Sequence, residues 1–215
     1  MNELEIQQIR QEYLLHSLNE DDVLTNPFSQ FKNWFQEAIE SEVAEPNAMT
    51  LATVDISNKP HTRIVLLKGF NEEGFTFFTN QASDKGKEIE ANPNVSLCFF
   101  WVELQRQVRI DGTAVKVPKT ESEDYFKTRP YQSQIGALAS NQSEEVSNRE
   151  YLDAKFKELS LKYPEGSTVP MPESWGGYQI VPSYFEFWQG RRSRLHDRIV
   201  YEFKNGNWAT TRLSP

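Results

Sequence analysis

The chain has 215 residues, and 31 acidic against 23 basic side chains give it a formal net charge of -8. That balance excludes a general binder of nucleic acid or of an anionic membrane, because counterion release at phosphates requires a broad basic surface. The length allows one sizeable core or two small ones, and the longest apolar run, Leu97 to Val102, falls far short of the roughly 20 residues of a membrane span.

No export signal or membrane segment is therefore expected. Cys98 is the one cysteine, so no internal disulfide can form, and a reducing cytoplasm fits. Between Leu97 and Phe99-Phe100 it reads as a core residue rather than a nucleophile. His16, His61 and His196 are scattered, with none of the short spacings of a zinc site, and no metal is expected. The Gly-rich phosphate loops of nucleotide-binding proteins are missing too, so a nucleotide cofactor has to be held another way.

In chain order, Leu4 to Leu18 sets Ile6, Ile9 and Tyr13 at helical spacing before the polar break Asn19-Glu20-Asp21-Asp22. A second helix opens at Asn26-Pro27, a capping residue followed by proline at the first helical position, with Phe28, Phe31, Phe35, Ala38 and Ile39 as its core stripe, and ends before Pro46. From Met49 the period changes to two. Strands are predicted over Met49 to Asp55, Pro60 to Phe70, Phe75 to Thr79, Val95 to Val102 and Gln105 to Val117. Such density of antiparallel strands with few helices between them predicts a predominantly β fold with flanking helices, a small barrel rather than a doubly wound sheet. Ser83 is placed to cap a helix from Asp84 to Ala91, whose free amides and Lys85 could seat a phosphate.

After Pro118, Thr120-Glu121-Ser122-Glu123 is a capping-box pattern opening a helix that stops at Arg129-Pro130. Tyr125 and Arg129, four apart, share a helical face, and Ser133 follows. A phenol, a guanidinium and a hydroxyl there could hold a phosphate monoester; Tyr125 alone would read as core. A last helix opens at Ser147-Asn148-Arg149-Glu150, carries Leu152, Phe156, Leu159 and Tyr163, and is ended by Pro164 and Gly166. Strands follow over Tyr178 to Val181, Tyr184 to Gln189, Arg194 to Phe203 and Trp208 to Leu213, the last two joined at Asn205-Gly206. No domain break is indicated, so residues 1–215 read as one domain with 1–45 as a helical N-terminal segment.

The densest chemistry lies in Phe185-Glu186-Phe187-Trp188-Gln189-Gly190-Arg191-Arg192-Ser193-Arg194-Leu195-His196-Asp197-Arg198. Strand parity places Arg194, His196 and Arg198 in one row about 7 Å apart, beside Trp188. Such a row suits a planar anionic aromatic ligand, since guanidinium groups stack on rings and fork onto carboxylate or phosphate. The plainer reading is a solvated strand face on which Glu186 and Asp197 are incidental partners.

This stretch resembles the signature of the pyridoxamine 5'-phosphate oxidase family, fourteen positions without a gap. The similarity continues in Arg63-Ile64-Val65-Leu66-Leu67-Lys68, like the family's flavin-contacting strand, and in Phe78-Thr79 with Ser83-Asp84-Lys85, like its flavin-phosphate segment; in all it runs from about Arg10 to Pro215. The resemblance implies a split β-barrel that binds FMN at the interface of a homodimer. It further implies oxidation of pyridoxine 5'-phosphate or pyridoxamine 5'-phosphate to pyridoxal 5'-phosphate, with oxygen as acceptor and hydrogen peroxide as product. It assigns FMN binding to Arg63, Val65, Leu66, Lys68, Phe78, Thr79, Ser83, Lys85, Gln107, Gln142, Ser143, Trp188 and Arg198. Substrate binding falls to Arg10, Tyr13, Lys68, Tyr125, Arg129 and Ser133, and to Arg194 and His196, which hold the pyridine ring for reaction. Two positions depart from the pattern: Asp84 stands where many relatives carry a basic residue, and Glu45 where they commonly carry Asp. Arg63 and Lys68 also fall on opposite faces of an ideal strand, so a bulge or the strand's end has to bring both to a ligand. The alternatives are another split-barrel flavoprotein, such as a flavin reductase, and a non-enzymatic carrier of pyridoxal 5'-phosphate.

Overall fold

The structure is a computed structural model that describes residues 12–215. Helices are α1 (Pro27–Glu40), α2 (Asp84–Ala91), α3 (Lys119–Thr128), α4 (Tyr131–Ala139) and α5 (Arg149–Lys162). Strands are β1 (Ala48–Val54), β2 (Pro60–Leu66), β3 (Gly69–Asn71), β4 (Gly74–Asn80), β5 (Asn94–Trp101), β6 (Arg106–Lys116), β7 (Trp175–Gln189), β8 (Asp197–Lys204) and β9 (Asn207–Arg212). Strand order is β2-β1-β5-β6-β7-β4-β3, with β8 paired to β7 and β9 to β8. The pairs β3–β4, β4–β7, β7–β8 and β8–β9 are antiparallel. The mostly β fold with flanking helices is that of a split barrel.

Contacts divide the chain into two compact units. The first holds the described residues up to Thr50 with Ser96–Asp111 and Pro182–Pro215; the second holds Leu51–Val95 and Gly112–Val181. In the first unit α1 starts as its sequence dictates: Asn26 Oδ1 accepts from the amides of Phe28 (2.8 Å) and Ser29 (3.3 Å), two of the donors a helix start leaves open. Its buried face supplies aromatic edges to the sheet and differs from the expected stripe: Trp34, 3% exposed, joins Phe28 and Phe31, while Ile39 is 47% exposed. Phe28 meets Phe185 at 5.2 Å, Phe31 meets Phe99 at 5.1 Å and Trp34 meets Phe187 at 5.2 Å, contacts worth about 1 kcal/mol each beyond their burial. The β8–β9 hairpin closes on Asn205 and Gly206, both at positive φ, the turn that Asn-Gly favours. In the second unit Phe126, Ile135, Val169 and Trp175 form a buried cluster, with Phe78 and Tyr125 packed against it.

Five expectations are corrected. The helix drawn from Leu4 to Leu18 is absent over 12–18, and its earlier part lies outside the described residues; the amides of Leu14, Leu15 and Leu18 donate to the side chains of Gln105 and Asp197 instead of to a preceding turn. The Pro60 to Phe70 strand breaks after Leu66, because Lys68 N turns to the Thr76 carbonyl at 2.8 Å. Ser83 occupies the N-cap of α2, but its hydroxyl donates to the Asn80 carbonyl at 2.6 Å and makes no cap bond. The Thr120 capping box is unused, for α3 starts after Pro118 without a side-chain cap. Ser133 lies on a second short helix, α4, and Arg129, at φ -68 and ψ 146, is extended rather than helical, as a residue before proline must be.

Candidate active site

In the second unit a cavity of about 620 Å³ is lined by Val65, Leu66, Lys68, Phe78, Thr79, Lys85, Tyr125, Arg129, Ser133 and Gln142, among others. Lys68 stands just past the end of β2, with the parity of Ile64 and Leu66, which line the same cavity. The α3–α4 junction delivers Tyr125, Arg129 and Ser133, and α2 delivers Lys85. An aromatic slab forms one wall, with Phe78 stacked on Tyr125 at 4.2 Å and on Trp175 at 5.4 Å. Gly177 backs that slab; a Cβ there would stand 2.7 Å from the Phe78 ring.

Among the described residues, the lining carries three cations and no carboxylate. Arg129 lies with its guanidinium 5.1 Å over the Trp175 ring, and its Nη1 is buried without a hydrogen-bond partner among the described residues. Burial pushes the Arg129 pKa down. Lys85 is only 8% exposed. Its Nζ donates to Ser83 Oγ at 3.1 Å and Gln142 Oε1 at 3.0 Å, both neutral. Burial, then the charge of Arg63, pushes the Lys85 amine down against the opposing pull of Asp84 and Glu88. Buried cations with neutral partners are costly unless an anion joins them, and here the buried Lys85 and the half-buried Arg129 line one cavity. This is a donor set for phosphate.

Arg63 is not among the lining residues. Its guanidinium donates to Thr53 and, at 2.8 Å, to Glu88 Oε2 on α2, while Thr53 donates to the same oxygen at 2.5 Å. Ser143, at φ +73, accepts the Asp84 amide at 3.2 Å, so the first amide of α2 is already engaged. Thr79 donates to Gln142 Oε1 at 3.2 Å. The Glu88 and Thr53 partners were not legible in the sequence: a Glu on a short helix and a Thr on a strand give no signal until the fold joins them.

In the first unit Trp188 lies 4.6 Å from the His196 ring, and Tyr13 meets both at 5.8 Å. The expected row of Arg194, His196 and Arg198 is not formed. β8 begins at Asp197, and Arg192–Arg194 turn tightly with Ser193 and Arg194 at φ +55 and +61. His196 Nδ1 accepts the Arg191 amide at 3.1 Å, so in the neutral ring the proton sits on Nε2. Burial, then the Arg194 charge, lowers the His196 pKa against the pull of Asp197. Arg194 is exposed and forms no ion pair with a described residue. Gln107 is half-buried on β6.

Arg198 alone lies in the ladder, opposite Trp188. Its Nε and Nη2 fork onto the two oxygens of Glu186, each at 2.9 Å. Glu186 is therefore no incidental surface partner. It is 3% exposed, and also takes a hydrogen bond from the Tyr184 hydroxyl at 3.1 Å and an ion pair from Arg109 at 3.4 Å. Burial works to raise its pKa, but Arg198, Arg109 and Tyr184 outweigh it and hold the carboxyl below its ordinary 4.5. A depressed carboxyl contributes stability that is complete above the unfolded value and is lost as pH falls through the folded one. Unfolding free energy should drop more steeply below pH 4.5 in the wild type than in Glu186→Gln, as denaturant titrations at several pH values would reveal; parallel slopes would refute the assignment.

Fold and cavity together define a split-barrel protein with a cationic, aromatic-walled pocket for an anionic ligand. The chain belongs to the pyridoxamine 5'-phosphate oxidase family: the family model of that description matches residues 35–163, and that of the pyridoxine 5'-phosphate oxidase C-terminal dimerisation region matches 175–215. It is 55% identical over 207 residues to a pyridoxine/pyridoxamine 5'-phosphate oxidase of Leptospira biflexa, covering 96% of this chain and 97% of the relative. It is 54% identical over 212 residues to the protein of that name in Haemophilus influenzae, covering 99% of this chain and 100% of the relative. Among solved structures, PhzG from Burkholderia lata 383, in complex with tetrahydrophenazine-1-carboxylic acid, is similar at 31% identity and a TM-score of 0.88, over 94% of this chain and 99% of that one.

Proposed function

We propose that this protein is an FMN-dependent oxidase that converts pyridoxine 5'-phosphate or pyridoxamine 5'-phosphate to pyridoxal 5'-phosphate, with oxygen as acceptor and hydrogen peroxide as the second product. It works as a homodimer, which the matched dimerisation region supports, and in the cytoplasm, in keeping with the absence, among the described residues, of any helix long and apolar enough to cross a membrane. The observation that carries the reading is the cavity with Lys68, Lys85 and Arg129 and no carboxylate.

Those residues fit FMN and a phosphorylated substrate, because Lys68, Lys85 and Arg129 line one cavity and, among the described residues, none of the three forms an ion pair. When bound, FMN supplies a two-electron acceptor that oxygen regenerates; position and field come from the chain. Tyr125, Arg129, Ser133 and Lys68 grip the substrate phosphate through charge-assisted bonds. Lys85, Ser83, Thr79, Gln142 and Ser143 hold the flavin phosphate side, with Arg63 kept in place by Glu88. Val65, Leu66, Phe78, Gln107, Trp188 and Arg198 complete the flavin set. Arg194 and His196 hold the pyridine ring in near-attack geometry, His196 presenting the proton on Nε2 as a donor. Tyr13 covers the substrate; Arg10, expected to join it, lies outside the described residues.

The visible spectrum of the FMN-loaded protein tests the reaction. Adding pyridoxamine 5'-phosphate without oxygen should bleach the flavin band, and air should restore it as pyridoxal 5'-phosphate appears. A band that stays unchanged would mean another split-barrel flavoprotein, and failure to bind flavin a carrier.

A further inference from the structure

Gln105 lies on the turn ahead of β6 in the first unit, its backbone left-handed at φ +53, and holds two parts of the chain at once. Its side-chain Oε1 accepts from the amides of Leu14 at 2.9 Å and Leu15 at 3.4 Å. Its main-chain carbonyl accepts from the Gly190 amide at 2.8 Å and from Gln189 Nε2 at 3.2 Å. The residue beside the held amides is Tyr13, whose ring stands edge-on to Trp188 and so close to Gly190 that a Cβ there would be 2.7 Å away.

Among the described residues, the Gln105 side chain is the partner that holds the Leu14 and Leu15 amides. Leu14 and Leu15 are 54% and 52% exposed, so burial contributes little. The next anchor is Leu18, whose amide donates to Asp197 Oδ2 at 3.0 Å and whose carbonyl accepts from Arg212 Nη2 at 2.8 Å. From that anchor to Tyr13 the chain, if released, could reach on the order of 17 Å, far more than the ring contacts tolerate. We propose that Gln105 is a positioning residue for the oxidase reaction: its amide oxygen latches the segment at Leu14 and Leu15, and thereby fixes Tyr13 against Trp188 and His196 where the substrate is covered.

The proposal rests on the reading above that Tyr13 and His196 contact the substrate. What the latch requires is an acceptor at that place, not the bulk of the side chain. A carboxylate supplies the acceptor and a thioether of similar length does not, so Gln105→Glu and Gln105→Met separate the two, at equal backbone strain.

The experiment compares both variants with the wild type as FMN-loaded dimers, by hydrogen exchange over residues 12–18 and by steady-state kinetics with pyridoxamine 5'-phosphate. Gln105→Met should speed exchange there about tenfold and raise KM about tenfold with kcat nearly unchanged, as loss of binding shared by ground and transition states does. Gln105→Glu should return both close to wild type. Exchange and KM unaltered in Gln105→Met, or Gln105→Glu as impaired as Gln105→Met, would overturn the latch. A wild-type holoenzyme inert toward the substrate would instead refute the oxidase reading, and the exchange rates would still judge the latch.

Discussion

Replacing Arg194 by alanine should lower kcat by about 100-fold or more, the scale expected when a group that holds the reacting ring is lost, while FMN stays bound. Arg194 is exposed, makes no ion pair with a described residue, and sits in left-handed backbone at φ +61. Non-glycine residues in that region carry strain of order 1 kcal/mol, which persists at sites where function demands it. Arg194→Gly relieves the strain, so it should be at least as stable as the wild type and as inactive as Arg194→Ala. That pairing separates lost chemistry from lost folding. Turnover at saturating substrate, thermal unfolding and flavin absorbance after gel filtration are the measurements. Wild-type turnover in either variant would sink the role given to Arg194.

Arg129→Met should raise KM for the phosphorylated substrate by about 100-fold or more, since truncating one partner of a desolvated charge pair costs several kcal/mol. Without ligand its effect on folding should run the other way. The wild-type guanidinium has a buried Nη1 with no hydrogen-bond partner among the described residues, and burial already depresses its pKa. A methionine packed against Trp175 and Phe126 removes that penalty, so the ligand-free variant should melt no lower than the wild type. Substrate added at saturation should raise the melting temperature of the wild type far more than that of the variant. An unchanged KM would take Arg129 out of the phosphate grip; a variant that melts lower would show that the buried guanidinium is held by more than the ring contacts at 5.1 Å and 5.6 Å.

The sequence by itself determined the local starts and stops and the residue types of the site. Asn26 before Pro27 sets the start of α1, Asn205-Gly206 sets the β8–β9 turn, and the change of period at Met49 marks where sheet begins, because each depends on a few neighbouring residues. Ten of the residues that the family resemblance assigned line one cavity, whereas residue type alone offered only Lys85 and the set Tyr125, Arg129 and Ser133 for a phosphate. Where those groups point was not legible. Strand parity put Arg194, His196 and Arg198 in a row, but the Arg191 amide bonded to His196 Nδ1 and the left-handed turn at Ser193 and Arg194 took two of the three out of the ladder. Parity also put Arg63 and Lys68 on opposite faces, and the two do stay apart: Lys68 lines the cavity, while Arg63 turns to Thr53 and Glu88.

Partners far apart in the chain were hidden altogether. Glu186 reads as a surface acid until Arg198, Arg109 and Tyr184 close around it. Gln105 reads as the first residue of a strand until Leu14 and Leu15, some ninety positions away, come to its side chain. A hydrogen bond or ion pair between distant residues has no signature in either local stretch. Only the packing of the sheet and helices, driven by burial that is blind to which polar groups it brings together, decided them.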